Sequence, residues 1–250
     1  MEEKIEVMKP MKPVTVEVGR EVLTNGREVT IRSKGPMEIK IDLDQAIREL
    51  WRGVGCADID TLSGGRIDFL ALSPDDINFD DIAIGLSNTC RFAGQISEFY
   101  SVAEHSVLVS KVLEVRLNGE LPGIVESAFM HDAPEAYIGD MVSPLKKLCP
   151  GFQMIEESLE LAIRQRFGLA MPFGHPMIKA VDLGVYYAER NIFRDSSKYE
   201  EGRIPEGVSD FLPAGLCIRN LSPKDALKEF YERAEELGIV SVLDSGVIAD

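Results

Sequence analysis

Helical periodicity from residue 79 onward is the feature that most limits how this chain can fold. In the segment SVAEHSVLVSKVLEVRL, apolar residues recur at the spacing that brings them to one face of a helix. Related patterns occupy NFDDIAIGLSN, GIVESAFMHDAPEAYI, QMIEESLELAIRQRFGL, HPMIKAVDLGVYYAERNIF and SPKDALKEFYERAEELG. The last segment has Ser222 as an N-cap, Pro223 at the first helical position and Gly238 as a stop signal. The sequence therefore predicts an all-α bundle of six or more helices.

The first fifty residues follow a different pattern. VTVEVGREVLTNGREVTIRS alternates β-branched and polar residues around Asn25-Gly26, which predicts a β-hairpin. IDLDQAIRELWRG then predicts a short helix, with Asp42 or Asp44 as cap and Gly53 as stop, and glycines over 54–66 indicate a loop or linker. We therefore expect a small N-terminal appendage over 1–53, formed by the hairpin and the short helix, and a helical domain over 54–250.

The charge balance limits the class of partner. The chain has 42 acidic residues against 27 basic ones and a net charge of −15. Because so acidic a chain repels a phosphate backbone, we expect no nucleic acid polymer as partner. A small anionic substrate remains compatible, since local basic residues or a bound cation can reverse the potential inside a cleft.

The apolar runs and the cysteines limit the cellular compartment in which this protein is expected. No apolar run approaches the roughly 18 residues of a membrane span, and MEEKIEVMKP lacks the apolar core of a secretory signal. The four cysteines form no CxxC pair, so neither a thiolate zinc site nor a disulfide framework is expected. We therefore expect a cytoplasmic protein with no membrane partner.

Ionisable residues interrupt three of the apolar helical segments. They are His105 in SVAEHSVLV, His131-Asp132 in SAFMHD, and Asp182 in IKAVDLGVYYAE. Burying such groups costs free energy unless they are paired or bound to a metal, and a shared divalent cation meets this requirement for all four. Two imidazoles and two carboxylates suit Mn, Fe, Co, Ni or Zn. Taken alone, each is more often an ordinary core or cap residue, and His175 in FGHPMI is interpreted as a surface or cap residue.

The order of these residues resembles the HD superfamily of metal-dependent phosphohydrolases. The resemblance covers about residues 60–200. CRFAGQISEFYSVAEHS and HDAPEAYIGDMVSPLK are similar to stretches of bacterial 5'-deoxynucleotidases and of phage-type HD enzymes that include dATP triphosphohydrolases. The resemblance implies an all-α HD-domain helical bundle with a metal ion held by His105, His131, Asp132 and Asp182. It further implies that Glu135 acts as acid or base on the attacking water, or helps hold a second ion, and that Asp140 lies near that water or the sugar.

Three more residues receive substrate-binding roles from the resemblance. Arg91 would hold phosphate, with Lys146 as a second phosphate contact. Phe92 stands where the similar deoxynucleotidases carry a Trp that packs at the place of a 2'-hydroxyl. Without the resemblance, Arg91 would be interpreted as part of a surface ion pair and Lys146 as a solvated charge beside Lys147. Glu135 and Asp140 would be interpreted as caps of helix ends.

Three functions remain open from the sequence. The first is a 5'-deoxynucleotidase that releases the deoxynucleoside from its 5'-phosphate. The second is a deoxynucleoside triphosphate triphosphohydrolase with a preference for dATP, for which additional Mg²⁺ would be expected, and the third is a catalytically silent nucleotide sensor. Enzymes of the resembling kind are often dimers, so we also expect a homo-oligomer.

Overall fold

The computed structural model describes residues 57–193 and 212–240, together with the backbone of three strands between residues 21 and 42. The chain divides into two compact units, Met1–Val54 and Gly55–Asp250. None of the helices within the described ranges is long and apolar enough to cross a membrane.

The first unit contains a three-stranded antiparallel sheet of order β1-β2-β3. Strand β1 (Glu21–Thr24) pairs with β2 (Glu28–Arg32), which confirms the hairpin around Asn25-Gly26. Strand β3 (Glu38–Asp42) extends this hairpin. Ile41 and Asp42, the first two residues of the segment predicted as a short helix, end a strand instead, and the alternative cap Asp44 lies outside the described residues. The rest of that helix, after residue 42, lies outside the described residues.

A second small hairpin begins within the glycine-rich segment 54–66, for which a loop or linker was predicted. Strand β4 (Asp58–Asp60) pairs with β5 (Arg66–Asp68) in antiparallel register. The glycines are concentrated in the turn, where Gly64 adopts a φ of 84° that other residues rarely adopt. The prediction of a loop or linker missed the two strands, because the alternation in DIDTLSGGRID, with Ile67 fully buried, is a strand signal on either side of that turn.

Helices form the body of the second unit, as predicted. The described part contains eight α-helices: α1 (Phe79–Asn88), α2 (Val102–Leu117), α3 (Ile124–Phe129), α4 (Glu135–Ile138), α5 (Ser143–Lys146), α6 (Pro150–Phe167), α7 (Pro176–Phe193) and α8 (Pro223–Glu236). The N-cap prediction for α8 is confirmed, because the Ser222 hydroxyl accepts a hydrogen bond from the backbone N–H of Asp225 at 3.2 Å.

Helix α2 lies at the centre of the bundle and packs against α1, α3, α7 and α8. It buries twelve of its sixteen residues, so apolar groups contact it on both sides rather than on one stripe. The core on one side includes Ile82, Phe129 and Phe230. The core on the other side includes Val109 and Val185. This position in the bundle buries every polar side chain near the start of α2.

The helical segment GIVESAFMHDAPEAYI is divided in two, as Pro134 within it indicates. Helix α3 ends at Phe129, a turn follows, and α4 begins at Glu135 directly after Pro134. In the turn, the backbone N–H of Glu135 donates to the carbonyl of Asp132 at 2.9 Å. The interruption therefore places His131 and Asp132 at a bend in the chain, where both side chains can face the same space.

Candidate metal centre

A buried group of two histidines and one aspartate lies between α2 and the α3–α4 turn. One nitrogen of His105, one of His131 and a carboxylate oxygen of Asp132 lie within 4.8 Å of one another and could hold a metal ion. Asp132 Oδ2 is 3.5 Å from His105 Nε2, and Asp132 Oδ1 is 3.2 Å from His131 Nε2. Residues 26 positions apart in the chain are brought together because α2 packs against α3.

Asp182 approaches the same group from α7. Its Oδ1 lies 3.2 Å from Nε2 of His105 and 3.8 Å from Nε2 of His131. Asp182 is the most exposed of the four, with 26% of its side-chain surface accessible, whereas both imidazoles are fully enclosed. The structure thus places all four residues that were predicted as ligands around one small volume that opens to solvent beside Asp182.

Both imidazoles turn Nε2 towards this volume, and each Nε2 atom lies 3.2 Å from a carboxylate oxygen without a well-directed hydrogen bond to it. Neither Nε2 atom has a hydrogen-bond partner among the described residues. His131 Nδ1 lies 2.8 Å from the carbonyl oxygen of Ala128. Because a carbonyl can only accept, Nδ1 carries the hydrogen, and in the neutral ring the lone pair is on Nε2. A buried acceptor of this kind suits a metal ion.

Glu189 contacts His105 at Nδ1, on the side of the ring away from the candidate ligands, and this residue was not predicted from the sequence. Its Oε1 lies 2.6 Å from His105 Nδ1 and accepts from the Tyr100 hydroxyl at 2.9 Å, and its Oε2 accepts from Arg91 Nε at 3.2 Å. Glu189 follows Asp182 by seven residues on α7, which is close to two helical turns and brings both to one face. That spacing was the signal that could have identified it.

Arg91 lies beside the group and is buried rather than in a surface ion pair. Its Nη1 contacts Asp132 Oδ2 at 3.4 Å, in addition to the contact with Glu189. Burial lowers the pKa of Arg91, but the carboxylates of Glu189 and Asp132 outweigh this effect and raise the pKa above its usual value. The guanidinium is therefore a fixed positive charge at the edge of the candidate site.

Phe92 follows Arg91 in a strained turn. Its φ is 58° and that of Ala93 is 52°, so two consecutive non-glycine residues adopt the left-handed region. Each such residue costs on the order of 1 kcal/mol or more. The Phe92 ring stacks on Tyr186 with a centroid distance of 5.5 Å and an interplanar angle of 29°. Tyr186 lies on α7, one turn beyond Asp182, so the ring of Phe92 is held near the candidate ligands.

Two further acids lie near the same volume. Glu135 is buried, and its Oε2 has no hydrogen-bond partner within the described part of the chain. Burial, together with the negative charges of Asp132 and Asp140, raises the pKa of Glu135 well above its usual value. Burial also raises the pKa of the Asp140 carboxyl, although the positive charge of Arg91 acts in the opposite direction. Glu135 is the first residue of α4 and lies one position beyond the N-cap residue, Pro134.

Lys146 is partly engaged elsewhere. Its Nζ lies 2.5 Å from Glu156 Oε1, and it is half-buried rather than solvated. Burial lowers the pKa of Lys146, but Glu156 and the more distant charges of Glu135 and Asp132 raise it. A role in phosphate binding would therefore require Lys146 to share its charge with Glu156. His175 is a cap, as predicted, because its Nδ1 accepts from the backbone N–H of Met177 at 3.2 Å.

The electrostatics of the four candidate ligands favour a cation. Burial lowers the pKa of His131, but Asp132 and Asp182 outweigh burial and raise it to about 10. Burial raises the pKa of both carboxyl groups, yet the adjacent imidazoles hold the pKa of Asp132 and Asp182 well below the usual range. The carboxylates thus attract positive charge to the Nε2 positions. A divalent ion would supply that charge and displace the protons, and imidazole with carboxylate is a donor set that Mn, Fe, Co, Ni or Zn accepts.

The fold and the site define a class: a helical protein with a buried His-His-Asp group that could hold a metal ion. The chain matches no established family model. It is 42% identical over 181 residues to "Uncharacterized protein YfdR" of Escherichia coli (strain K12), covering 72% of this chain and 94% of the relative. It is 37% identical over 182 residues to "Uncharacterized protein RCAP_rcc00048" of Rhodobacter capsulatus, covering 69% of this chain and 91% of the relative. The chain belongs to the family that contains these two proteins.

Proposed function

We propose that this protein is an HD-type, metal-dependent phosphohydrolase that releases a 2'-deoxynucleoside from its 5'-phosphate. The observation that carries the proposal is the pair of buried Nε2 atoms, on His105 and His131, that face Asp132 and Asp182 without a hydrogen-bond partner among the described residues. Buried imidazole nitrogens that face carboxylates without a well-directed hydrogen bond are unusual in an ordinary core. They are expected in a site that binds a divalent ion.

A bound divalent ion supplies a Lewis acid, which makes a nearby water more acidic and polarises a phosphoryl oxygen. Glu135 is the proposed proton carrier for that water, at its unpaired Oε2. Its raised pKa suits this task, because a carboxyl group that titrates closer to neutrality can both accept and return a proton. Asp140 lies close enough for its charge to raise the pKa of Glu135, and it would orient the water or the sugar.

Arg91 is the proposed phosphate ligand. Its Nε and Nη1 are held by Glu189 and Asp132, and the other N–H groups of its guanidinium can bind phosphate oxygens as a planar fork. Phosphoryl transfer depends mainly on positioning and on neutralising charge, which a fixed arginine provides. Phe92, next in the chain, would lie against the sugar at C2'.

The test is a panel of deoxy- and ribonucleoside mono- and triphosphates, assayed with Mn²⁺, Co²⁺ and Mg²⁺, with the products separated. The proposal expects inorganic phosphate and deoxynucleoside from the monophosphates. Release of triphosphate from dATP would instead establish the triphosphohydrolase alternative. Binding of nucleotides without turnover under any metal would contradict the enzyme proposal and favour a sensor.

The cellular setting is also part of the proposal. Cys90, Cys149 and Cys217 are free of disulfide bonds in the described part of the chain, as suits a reducing cytoplasm. We propose a homo-oligomer that acts on a small nucleotide, without a membrane or nucleic acid partner. Light scattering of the purified protein tests the oligomeric state, and a monomer at micromolar concentration would contradict it.

A further inference from the structure

We infer that Glu189 is a positioning residue that links two functional groups, the metal ligand His105 and the phosphate ligand Arg91. This inference rests on the proposed function for the roles of those two partners. It concerns a residue that itself contacts neither a metal position nor a substrate position. Glu189 is fully buried, and its carboxylate lies on the Nδ1 side of His105, away from the Nε2 atom that faces Asp132 and Asp182.

Glu189 determines the tautomer of His105. Arg91 Nε and the Tyr100 hydroxyl both donate to its two oxygens, an arrangement that suits the ionised carboxylate. An ionised carboxylate can only accept, so His105 Nδ1 donates across the 2.6 Å contact. In the neutral imidazole, the lone pair then lies on Nε2, the atom that faces the ligand group. A carboxylate behind a histidine in this way orients the ring and makes it a better metal ligand.

Glu189 also holds the guanidinium of Arg91. The Nε–H group is bound to Glu189 Oε2, and Nη1 is bound to Asp132, so the plane of the guanidinium is fixed by two contacts. The backbone N–H of Arg91 donates to the carbonyl of Tyr100 at 2.9 Å, which fixes the main chain of the same residue. An arginine held this way loses little freedom on binding phosphate, because its side chain is already ordered.

One carboxylate therefore serves both groups, and its loss should damage metal binding and phosphate binding together. This joint effect distinguishes Glu189 from a residue that merely stabilises the core. Glu189→Gln keeps the size of the side chain but removes the charge, and its neutral amide offers only one acceptor oxygen for three donors. We expect about 10- to 100-fold weaker metal binding, the usual cost of losing such an outer partner.

Glu104 provides a matched control. It is another buried glutamate, and its oxygens accept the backbone N–H groups of Arg219, Asn220 and Leu221 at 2.7–3.0 Å. Glu104→Gln also removes a buried charge that is held by three donors, but it does so at a loop before α8 rather than at His105 or Arg91. It should lower the melting temperature while leaving the metal affinity unchanged.

The experiment measures Co²⁺ and Mn²⁺ affinity by calorimetry for the wild-type protein, Glu189→Gln and Glu104→Gln, and then kcat and KM at saturating metal. Glu189→Gln should weaken metal binding and, once saturated with metal, should raise KM for the nucleotide. Wild-type metal affinity in Glu189→Gln, or an equal loss of metal affinity in Glu104→Gln, would overturn the inference.

If Glu189→Gln does not fold, Glu189→Asp replaces it. That shorter carboxylate should also weaken Co²⁺ binding, and unchanged Co²⁺ binding would overturn the inference. A wild-type protein that hydrolyses no nucleotide contradicts the proposed function, whereas the metal affinities still test the link to His105.

Discussion

The nearest neighbours of His131 in the chain determine which of its ring nitrogens carries the hydrogen and which charge lies beside the other. The carbonyl of Ala128, three residues earlier, fixes the hydrogen on Nδ1, and Asp132, the next residue, lies 3.2 Å from Nε2. Both partners are therefore determined within one turn of chain. The stability of this arrangement depends on what neutralises the carboxylates, since an unpaired buried charge is costly. At the residue scale, the candidate metal ligands and Glu135 have separate proposed roles that mutation can distinguish.

Asp132→Ala should abolish activity and lower the metal content, whereas Glu135→Gln should lose activity and retain the metal. Asp132 belongs to the group within 4.8 Å, while Glu135 is outside it and is proposed to move a proton. Groups that transfer protons typically contribute about 10²- to 10⁴-fold to the rate. Metal analysis of the purified variants and kcat measurements check both effects. Near-normal turnover in Glu135→Gln would remove Glu135 from the proposed mechanism.

Phe92→Ala should narrow the difference in kcat/KM between matched deoxy- and ribonucleotides. In the proposed binding mode, the Phe92 ring at C2' would leave no partner for a hydroxyl, and burying an unpaired hydroxyl costs about 1–3 kcal/mol. That cost corresponds to roughly tenfold to a hundredfold discrimination. Arg91→Ala is the comparison variant, because loss of the proposed phosphate ligand should weaken the binding of both substrates equally. Equal wild-type rates on the two sugars would contradict deoxy selectivity and leave the metal site untouched.

At the element scale, the short helix α4 is positioned by its contact with α1. Gly85 on α1 packs directly against Ala136, the residue after Glu135. A Cβ atom at Gly85 would lie 2.8 Å from both the Cβ and the carbonyl oxygen of Ala136, closer than real contacts allow. The absence of a side chain at Gly85 thus lets the two helices approach closely and holds Glu135 towards the ligand group.

Gly85→Ala should therefore destabilise the protein and reduce kcat. Overpacking of this kind typically costs about 1–3 kcal/mol, and it is opposed by the roughly 1 kcal/mol better helix propensity of alanine. Gly174→Ala is the control, because a Cβ atom there meets nothing within 4 Å. Denaturant unfolding and turnover assays check the pair. If Gly85→Ala were as stable and active as Gly174→Ala, the close contact would have no role in positioning Glu135.

At the scale of the whole molecule, a metal ion would connect three separate parts of the chain. His105 belongs to α2, Asp182 to α7, and His131 with Asp132 to the turn between α3 and α4. The carboxylates and imidazoles that converge there come from residues 105 to 182, so a bound ion would stabilise the packing of the bundle as a unit. Its binding free energy should therefore appear in global unfolding.

Adding Mn²⁺ or Co²⁺ to chelator-treated protein should raise the melting temperature. At 100 times the dissociation constant, a ligand adds about 2.7 kcal/mol of stability, which for a chain of this size corresponds to roughly 5–10 °C. Asp182→Ala should lose most of that increase, since it removes one candidate ligand. Differential scanning calorimetry with and without metal gives the measurement. An equal increase in both proteins would show that the ion binds elsewhere.

Much of the architecture followed from local sequence. The helical segments, the hairpin at Asn25-Gly26 and the Ser222 cap were predicted because periodicity, turn chemistry and capping act over a few residues. The four candidate ligands were identified by being ionisable residues in apolar segments, and the resemblance to HD enzymes supplied their roles. The β4–β5 hairpin was missed, because short strands give weak local signals, whereas Pro134 already indicated that the chain turns before α4.

The tertiary structure decided what the local patterns could not. It brought Glu189 and Tyr100, 89 positions apart, into one hydrogen-bond network behind His105. It also paired Lys146 with Glu156 and stacked Phe92 on Tyr186. The physical reason is that a buried side chain takes its partners from the helix that packs against it. Hydrophobic periodicity in one sequence shows which face of a helix is buried, but not which neighbouring helix covers that face. The sequence by itself therefore determined the elements and the candidate ligands, and only the packing of α2 against α3 and α7 determined their partners.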